Sequence, residues 1–217
     1  MRTPLCPLYV VCDADACARA GTTVVDFATV CLEGGARLFQ LRAKHASGRW
    51  LFETASELAT LARSAGAIFI VNDRADVARL AGAGGVHVGQ DDLAPAMVRP
   101  LVGSDAIIGR STHTIDQIES ALEEPVDYLA IGPVFPTSTK EAADRPVGLG
   151  GVRAAAARAA ARGLPVVAIG GVTLERAPAI VDAGASAVAV ISDLLAGGDP
   201  AVRVREYLEA LSRRRRN

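Results

Sequence analysis

Polar and charged residues of a few types recur in this sequence directly after short apolar runs, and their chemistry suits phosphate esters. Gln40, Arg42 and Lys44 alternate within Gln-Leu-Arg-Ala-Lys, so an extended backbone carries all three on one side. An amide, a planar guanidinium and a compact ammonium together match a phosphate-rich ligand. Asp73 and Asp92 follow the next two runs, and such carboxylates hold Mg2+ when waters and ligand phosphates complete its shell. Asp73 equally suits the N-cap of a following helix. Later come Gly170-Gly171 and Ile191-Ser192, whose backbone N–H groups suit a phosphate, with Thr137, Ser138 and Thr139 adding hydroxyl donors. Lys44 and Lys140 are the two lysines among 23 basic residues, and Asn72 is the only asparagine before the final residue. All three fall in these segments. The pattern describes two anion sites, one with a metal and one without. It implies two phosphorylated substrates, or one with phosphate at both ends.

The elements that must position these groups alternate along the whole chain. Apolar, β-branched runs at residues 8–12, 37–41, 68–71, 85–88, 106–109, 128–131, 166–169 and 187–191 read as strands. Helical spacing fills 50–64, 74–81, 115–122, 152–161 and 174–183, and Gly66, Gly82, Gly163 and Gly184 fit helix C-caps. Pro95 and Pro100 leave the helix after the fourth strand short. Strands apolar throughout belong to a parallel sheet covered by helices. Eight strand–helix units at intervals of about 25 residues predict an α/β fold, a single-domain (β/α)8 TIM barrel. An open doubly wound sheet is the alternative, and no Gly-x-Gly-x-x-Gly follows the first strand to support it. In a barrel, chemistry sits at the C-terminal strand ends, where Gln40 to Lys44, Asn72 and Asp73, Gln90 to Asp92, Ser111 to His113 and the loop from Gly132 to Lys140 all fall.

Composition excludes several classes. The chain has 217 residues, 50% hydrophobic and 22% charged, with net charge −1, which argues against disorder and for one substantial core. No apolar run reaches the roughly 18 residues of a membrane span, and Asp13, Asp15 and Arg19 interrupt any signal peptide. We expect a cytoplasmic protein acting on small phosphorylated molecules, with no nucleic acid or membrane partner; the sequence leaves a homo-oligomer open. Residues 1–212 form the catalytic domain, and 213–217 form a basic, disordered tail. Cys6, Cys12, Cys17 and Cys31 match no zinc spacing and read as thiols in a reducing compartment. His87 reads as a packed core residue, His45 as solvated, and His113 lacks an adjacent carboxylate. No Ser/His/Asp or Cys/His set supports nucleophilic catalysis.

Five segments, taken in order, resemble the thiamine-phosphate synthase family. They are Gln-Leu-Arg-Ala-Lys, Val-Asn-Asp-Arg-Ala-Asp, Gly-Val-His-Val-Gly-Gln-Asp-Asp-Leu, Gly-Pro-Val-Phe-Pro-Thr-Ser-Thr-Lys and Ala-Ile-Gly-Gly-Val. The resemblance runs from Leu8 to Leu194. It implies a TIM barrel that joins hydroxymethylpyrimidine diphosphate to thiazole phosphate, releasing pyrophosphate. It also implies a pyrimidine diphosphate site at Gln40, Leu41, Arg42, Ala43, Lys44, Asn72, Ser111 and Lys140, with Mg2+ on Asp73 and Asp92. The implied thiazole phosphate site comprises Thr137, Ser138, Thr139, Gly171, Ile191 and Ser192. Arg42, Lys44 and Lys140 would be catalytic, neutralising the departing pyrophosphate. The aminopyrimidine would stabilise the methylene cation until the thiazole nitrogen captures it. Ala43 stands where the family usually has Glu, Ser138 where it often has Pro, and Asp91 where it often has Glu. Two rivals are a thiazole phosphate isomerase of the same family and a non-catalytic ligand-binding relative. Isomerases tend to carry His where this chain has Pro133, and a silent relative would have lost a carboxylate or lysine retained here.

Overall fold

The computed structural model describes residues 6–137 and 145–214. Eight parallel strands close in sequence order into one barrel, β1 to β8, with β8 pairing back onto β1. In chain order the elements are β1 (Leu8–Asp13), α1 (Ala14–Arg19), α2 (Val24–Glu33), β2 (Leu38–Arg42), α3 (Gly48–Ala65), β3 (Ile68–Asn72) and α4 (Ala75–Ala81). They continue with β4 (Gly85–Val88), α5 (Pro95–Val102), β5 (Ile107–Thr112), α6 (Ile115–Leu122), β6 (Tyr128–Ile131) and α7 (Gly148–Ala160). The last are β7 (Val166–Ile169), α8 (Ala177–Asp182), β8 (Ala187–Val190), a 3-10 turn at Ser192–Leu194, and α9 (Pro200–Arg214). The barrel is the expected one, and the open sheet is excluded.

Each strand divides its residues between two cores, because successive side chains point to opposite faces. Val10, Phe39, Leu41, Val71, Val86, Ile108 and Leu129 face outward and pack beneath the helices. Tyr9, Val11, Leu38, Ile70, Tyr128, Ala130, Val167, Ala187 and Ala189 fill the barrel interior. The interior is uneven by design of the sequence. Gly109 stands beside the Tyr128 ring, and a Cβ at Gly109 would lie 2.0 Å from that ring. One small residue thus admits one large one at mid-barrel.

Some elements differ from expectation. The pattern missed α1, α2 and α9. In α2, Val-Val-Asp-Phe-Ala-Thr-Val-Cys-Leu-Glu is rich in β-branched residues, which disguises its helical face. The N-cap hydroxyl of Thr23, accepting from the Asp26 N–H at 3.0 Å, starts that helix. Helix α9 lies against α8 and α2, and it runs to Arg214. The proposed domain boundary at residue 213 therefore falls inside this helix, and residues 215–217 lie outside the described residues. Pro95 opens a short α5, as anticipated, and Gly66 and Gly82 are left-handed C-caps at φ 60° and 68°.

Candidate active site

The C-terminal rim of the barrel surrounds a cleft with about 1160 Å³ of space, its open mouth included. Gln40, Arg42, Lys44, Asn72, Asp73, Ser111, Thr137, Gly171, Ile191 and Ser192 all line it. Residues from six of the eight strand ends or the loops after them therefore converge on one space. Lys140, Ser138 and Thr139 lie outside the described residues.

On the β2–β3 side the cleft is held by charge. Strand register sets Asp13 beside Arg42, and the Arg42 guanidinium forms an ion pair with the Asp13 carboxylate. Asp13 is 2% exposed, and its other oxygen accepts from the Ala16 N–H at 2.9 Å to cap α1. One buried carboxylate thus anchors both a helix start and a cation of the cleft. Lys44 Nζ donates to Asp73 Oδ2 at 2.6 Å. Asp73 is the one non-glycine among the described residues with a left-handed backbone, at φ 64°. That conformation is uncommon outside glycine, with Asp and Asn its usual exceptions.

The two readings of Asp73 are thereby separated. Arg74 occupies the N-cap of α4 with no side-chain cap bond, so Asp73 does not cap the helix. Its carboxyl instead meets Asp92. Burial, followed by this hydrogen bond with Asp92, raises the Asp73 carboxyl above its usual range, against the pull of Lys44. Asp92 is shifted down: burial opposes the shift, while bonds from Asp73 and from the Gly89 N–H at 2.7 Å outweigh it. Two carboxylates held this close repel each other unless positive charge lies between them, and a bound cation can supply it. The donor set is hard oxygen and few in number, which fits Mg2+ completed by water and phosphate oxygens. Among the described residues no cluster of three or more His, Cys, Asp or Glu could hold a metal, so the protein alone offers only a partial shell.

The β6–β8 side is built from backbone instead. Gly170 and Gly171 have φ 97° and 62°. A Cβ on Gly170 would approach Pro133 Cα to 2.5 Å, and one on Gly171 would approach the Pro136 carbonyl oxygen to 2.7 Å. Only glycine permits this close packing of the β7–α8 loop on the β6–α7 loop. The Phe135 N–H donates to the Gly170 carbonyl at 3.0 Å, extending the ladder beyond the strands. Arg176 clamps the same junction, donating to the Gly171 carbonyl at 2.8 Å while lying 4.6 Å from the centre of the Phe135 ring. Behind Ser192, Tyr207 of α9 donates to Asp193 at 2.7 Å and fixes the 3-10 turn.

Two of the residues the resemblance implies turn their side chains away from the cleft. Leu41 is fully buried between the barrel and its helices, and Ala43 packs outward beside Asp15, His45 and Trp50. The pleat sends both side chains away from the cleft that Gln40, Arg42 and Lys44 face. Residues the sequence reading missed are Tyr9 and Tyr128, whose hydroxyls lie 3.0 Å apart, and Asp13. An inward-facing tyrosine in a strand carries no sign that separates it from core. His87 is buried as expected, yet it lines the cleft, with Nδ1 2.9 Å from Tyr128 Oη and Nε2 2.8 Å from Ser111 Oγ. His113 also lines the cleft; its Nδ1 donates to the Gly132 carbonyl at 2.5 Å.

Comparison with known proteins agrees with this geometry. The family model described as thiamine monophosphate synthase matches residues 8–194. The thiamine-phosphate synthase of Chloroflexus aurantiacus is 42% identical over 206 residues, covering 94% of this chain and 92% of its own. That of Koribacter versatilis is 43% identical over 206 residues, covering 94% and 95%. A solved thiamine phosphate pyrophosphorylase from Pyrococcus furiosus superposes with TM-score 0.84 at 32% identity, covering 96% of both chains. A 3-hexulose-6-phosphate synthase structure, at TM-score 0.65 and 18% identity, shares the fold alone. On sequence, fold and rim together, the chain belongs to the thiamine monophosphate synthase family.

Proposed function

We propose that this chain is a transferase that joins 4-amino-5-hydroxymethyl-2-methylpyrimidine diphosphate to 4-methyl-5-(2-hydroxyethyl)thiazole phosphate, giving thiamine phosphate and pyrophosphate. The observation that carries the reading is the two-sided rim. Arg42, Lys44 and Asp73, the last beside Asp92, stand on one side of a single cleft, and a glycine-built loop stands on the other. Relatives covering nearly the whole chain at about 42% identity carry the same activity in their names.

The diphosphate binds against Arg42, Lys44, Asn72 and Lys140, with the pyrimidine between Gln40 and Ser111. Mg2+ held by Asp73 and Asp92 supplies charge neutralisation for the leaving pyrophosphate. Arg42, fixed by Asp13, and Lys44, fixed by Asp73, present their charges already oriented, so little reorganisation is needed as the carbon–oxygen bond breaks. Thr137, Ser138, Thr139, Gly171, Ile191 and Ser192 hold the thiazole phosphate so that the ring nitrogen faces the developing methylene cation. Catalysis is positioning plus electrostatics, and no triad is required. Burial pushes the thiols of Cys12, Cys17 and Cys31 up and keeps them protonated and unreactive; the proposed setting is cytoplasmic. Among the described residues no helix is long and apolar enough to cross a membrane.

The test is pyrophosphate release from the purified protein, with each substrate and Mg2+ omitted in turn. Release requiring all three supports the synthase. Conversion of thiazole phosphate alone, or binding of both ligands without release, overturns it in favour of the isomerase or the binding protein.

A further inference from the structure

A single file of hydrogen bonds crosses the barrel beneath the cleft. Gln40 Nε2 donates to Tyr9 Oη at 2.8 Å, Tyr9 Oη meets Tyr128 Oη at 3.0 Å, Tyr128 Oη meets His87 Nδ1 at 2.9 Å, and His87 Nε2 meets Ser111 Oγ at 2.8 Å. Every link but the last is buried, and both tyrosines are at most 2% exposed. The two ends, Gln40 and Ser111, both line the cleft.

Such a file has a direction. A hydroxyl that accepts from one neighbour gives its own hydrogen to the next. Because Gln40 donates, Tyr9 donates to Tyr128 and Tyr128 donates to His87 Nδ1. That leaves neutral His87 with its proton on Nε2, where it donates to Ser111. The Ser111 hydroxyl hydrogen is then directed to a ligand, and Gln40 Oε1 is the acceptor at the opposite end. Turning the Gln40 amide over reverses every bond. A mixed arrangement sets two donors or two acceptors face to face inside the barrel, which is costly for buried groups.

We infer that Tyr9 and Tyr128 are positioning residues that couple Gln40 to Ser111 through the tautomer of His87, making recognition at the two ends one linked event. The inference rests on the proposed function in one respect, the aminopyrimidine as ligand. A ring carrying an amino donor and a ring-nitrogen acceptor suits one acceptor and one donor held in fixed register. An analogue with an oxo group in place of the amino group presents the opposite polarity. Held in the direction in which Gln40 donates, the file favours the amino form.

The ligand-free protein labelled with 15N-histidine tests the direction. The inference expects His87 as the Nε2–H tautomer in the wild type and a mixture of tautomers in Y128F. Protonation on Nδ1 in the wild type overturns the assigned direction. Affinity for the pyrimidine diphosphate tests the coupling, measured for Q40A, S111A and the double variant with and without Y128F. Effects should be non-additive by at least fivefold in the parent and additive within twofold with Y128F. Additivity in both overturns the coupling. Y9F cuts the same file while leaving the Tyr128–His87 link, and it serves as the second route if Y128F folds poorly. Wild-type protein that fails to bind the diphosphate counts against the proposed function, while the histidine signal still decides the file.

Discussion

The two halves of the rim handle anions by different means. Between β1 and β5 the cleft presents charged side chains, each paired with a carboxylate: Arg42 with Asp13, and Lys44 with Asp73. Between β6 and β8 it presents glycines and backbone, braced from outside by Arg176 and Tyr207. The difference matches what each half is proposed to do. Leaving-group charge grows during bond breaking, so strong, pre-oriented charges act most in the transition state. A phosphate that serves only as a handle is bound equally before and after, and neutral N–H donors suffice. Alterations of the first half should therefore lower turnover, and alterations of the second should raise KM.

The largest effect is expected at Lys140, which ends the segment Gly-Pro-Val-Phe-Pro-Thr-Ser-Thr-Lys. Lys140→Ala should cut kcat by at least about 100-fold, about 2.7 kcal/mol in the barrier, in steady-state pyrophosphate release. An unchanged kcat would remove it from the charged half. Next is Asp13, which does not line the cleft. Asp13→Ala leaves Arg42 without its buried partner and α1 without its cap, and should lower kcat about 30-fold. It should also cost about 3 kcal/mol of stability by denaturant unfolding, the range for breaking a buried pair. Asp13→Asn keeps the cap and should recover part of the stability but little of the turnover.

In the second half, Gly171→Ala introduces a Cβ 2.7 Å from the Pro136 carbonyl oxygen at a left-handed φ. It should raise KM for the thiazole phosphate about tenfold, in line with a cost of 1–2 kcal/mol, while leaving KM for the diphosphate within twofold. Equal changes in both constants would erase the distinction between the halves. The smallest effect belongs to Ala43→Glu, which restores the family's usual residue. Its side chain faces outward beside Asp15, so kcat/KM should move less than twofold.

Much of this arrangement was legible in the residues. The eight strands stood out because runs buried on both faces need no alternation, and Gln40, Arg42 and Lys44 stood out because alternation resumes where β2 leaves the core. Helix α9 was not legible. Its Arg- and Glu-rich exposed face masks the stripe Val204, Tyr207 and Leu211 that packs inward. Asp73 could be read as cap or ligand until the backbone placed Arg74 at the cap. Asp13 and the two tyrosines were invisible for a more general reason. Their roles depend on neighbours on other strands 29 to 119 residues away, and no local spacing encodes such a pairing.

The division of the rim is tested most directly by equilibrium binding of each substrate alone, with Mg2+ and with the metal chelated. The account predicts that the pyrimidine diphosphate loses at least tenfold in affinity without the metal, and that the thiazole phosphate changes less than twofold. Equal dependence of both ligands on the metal, or of neither, would contradict it.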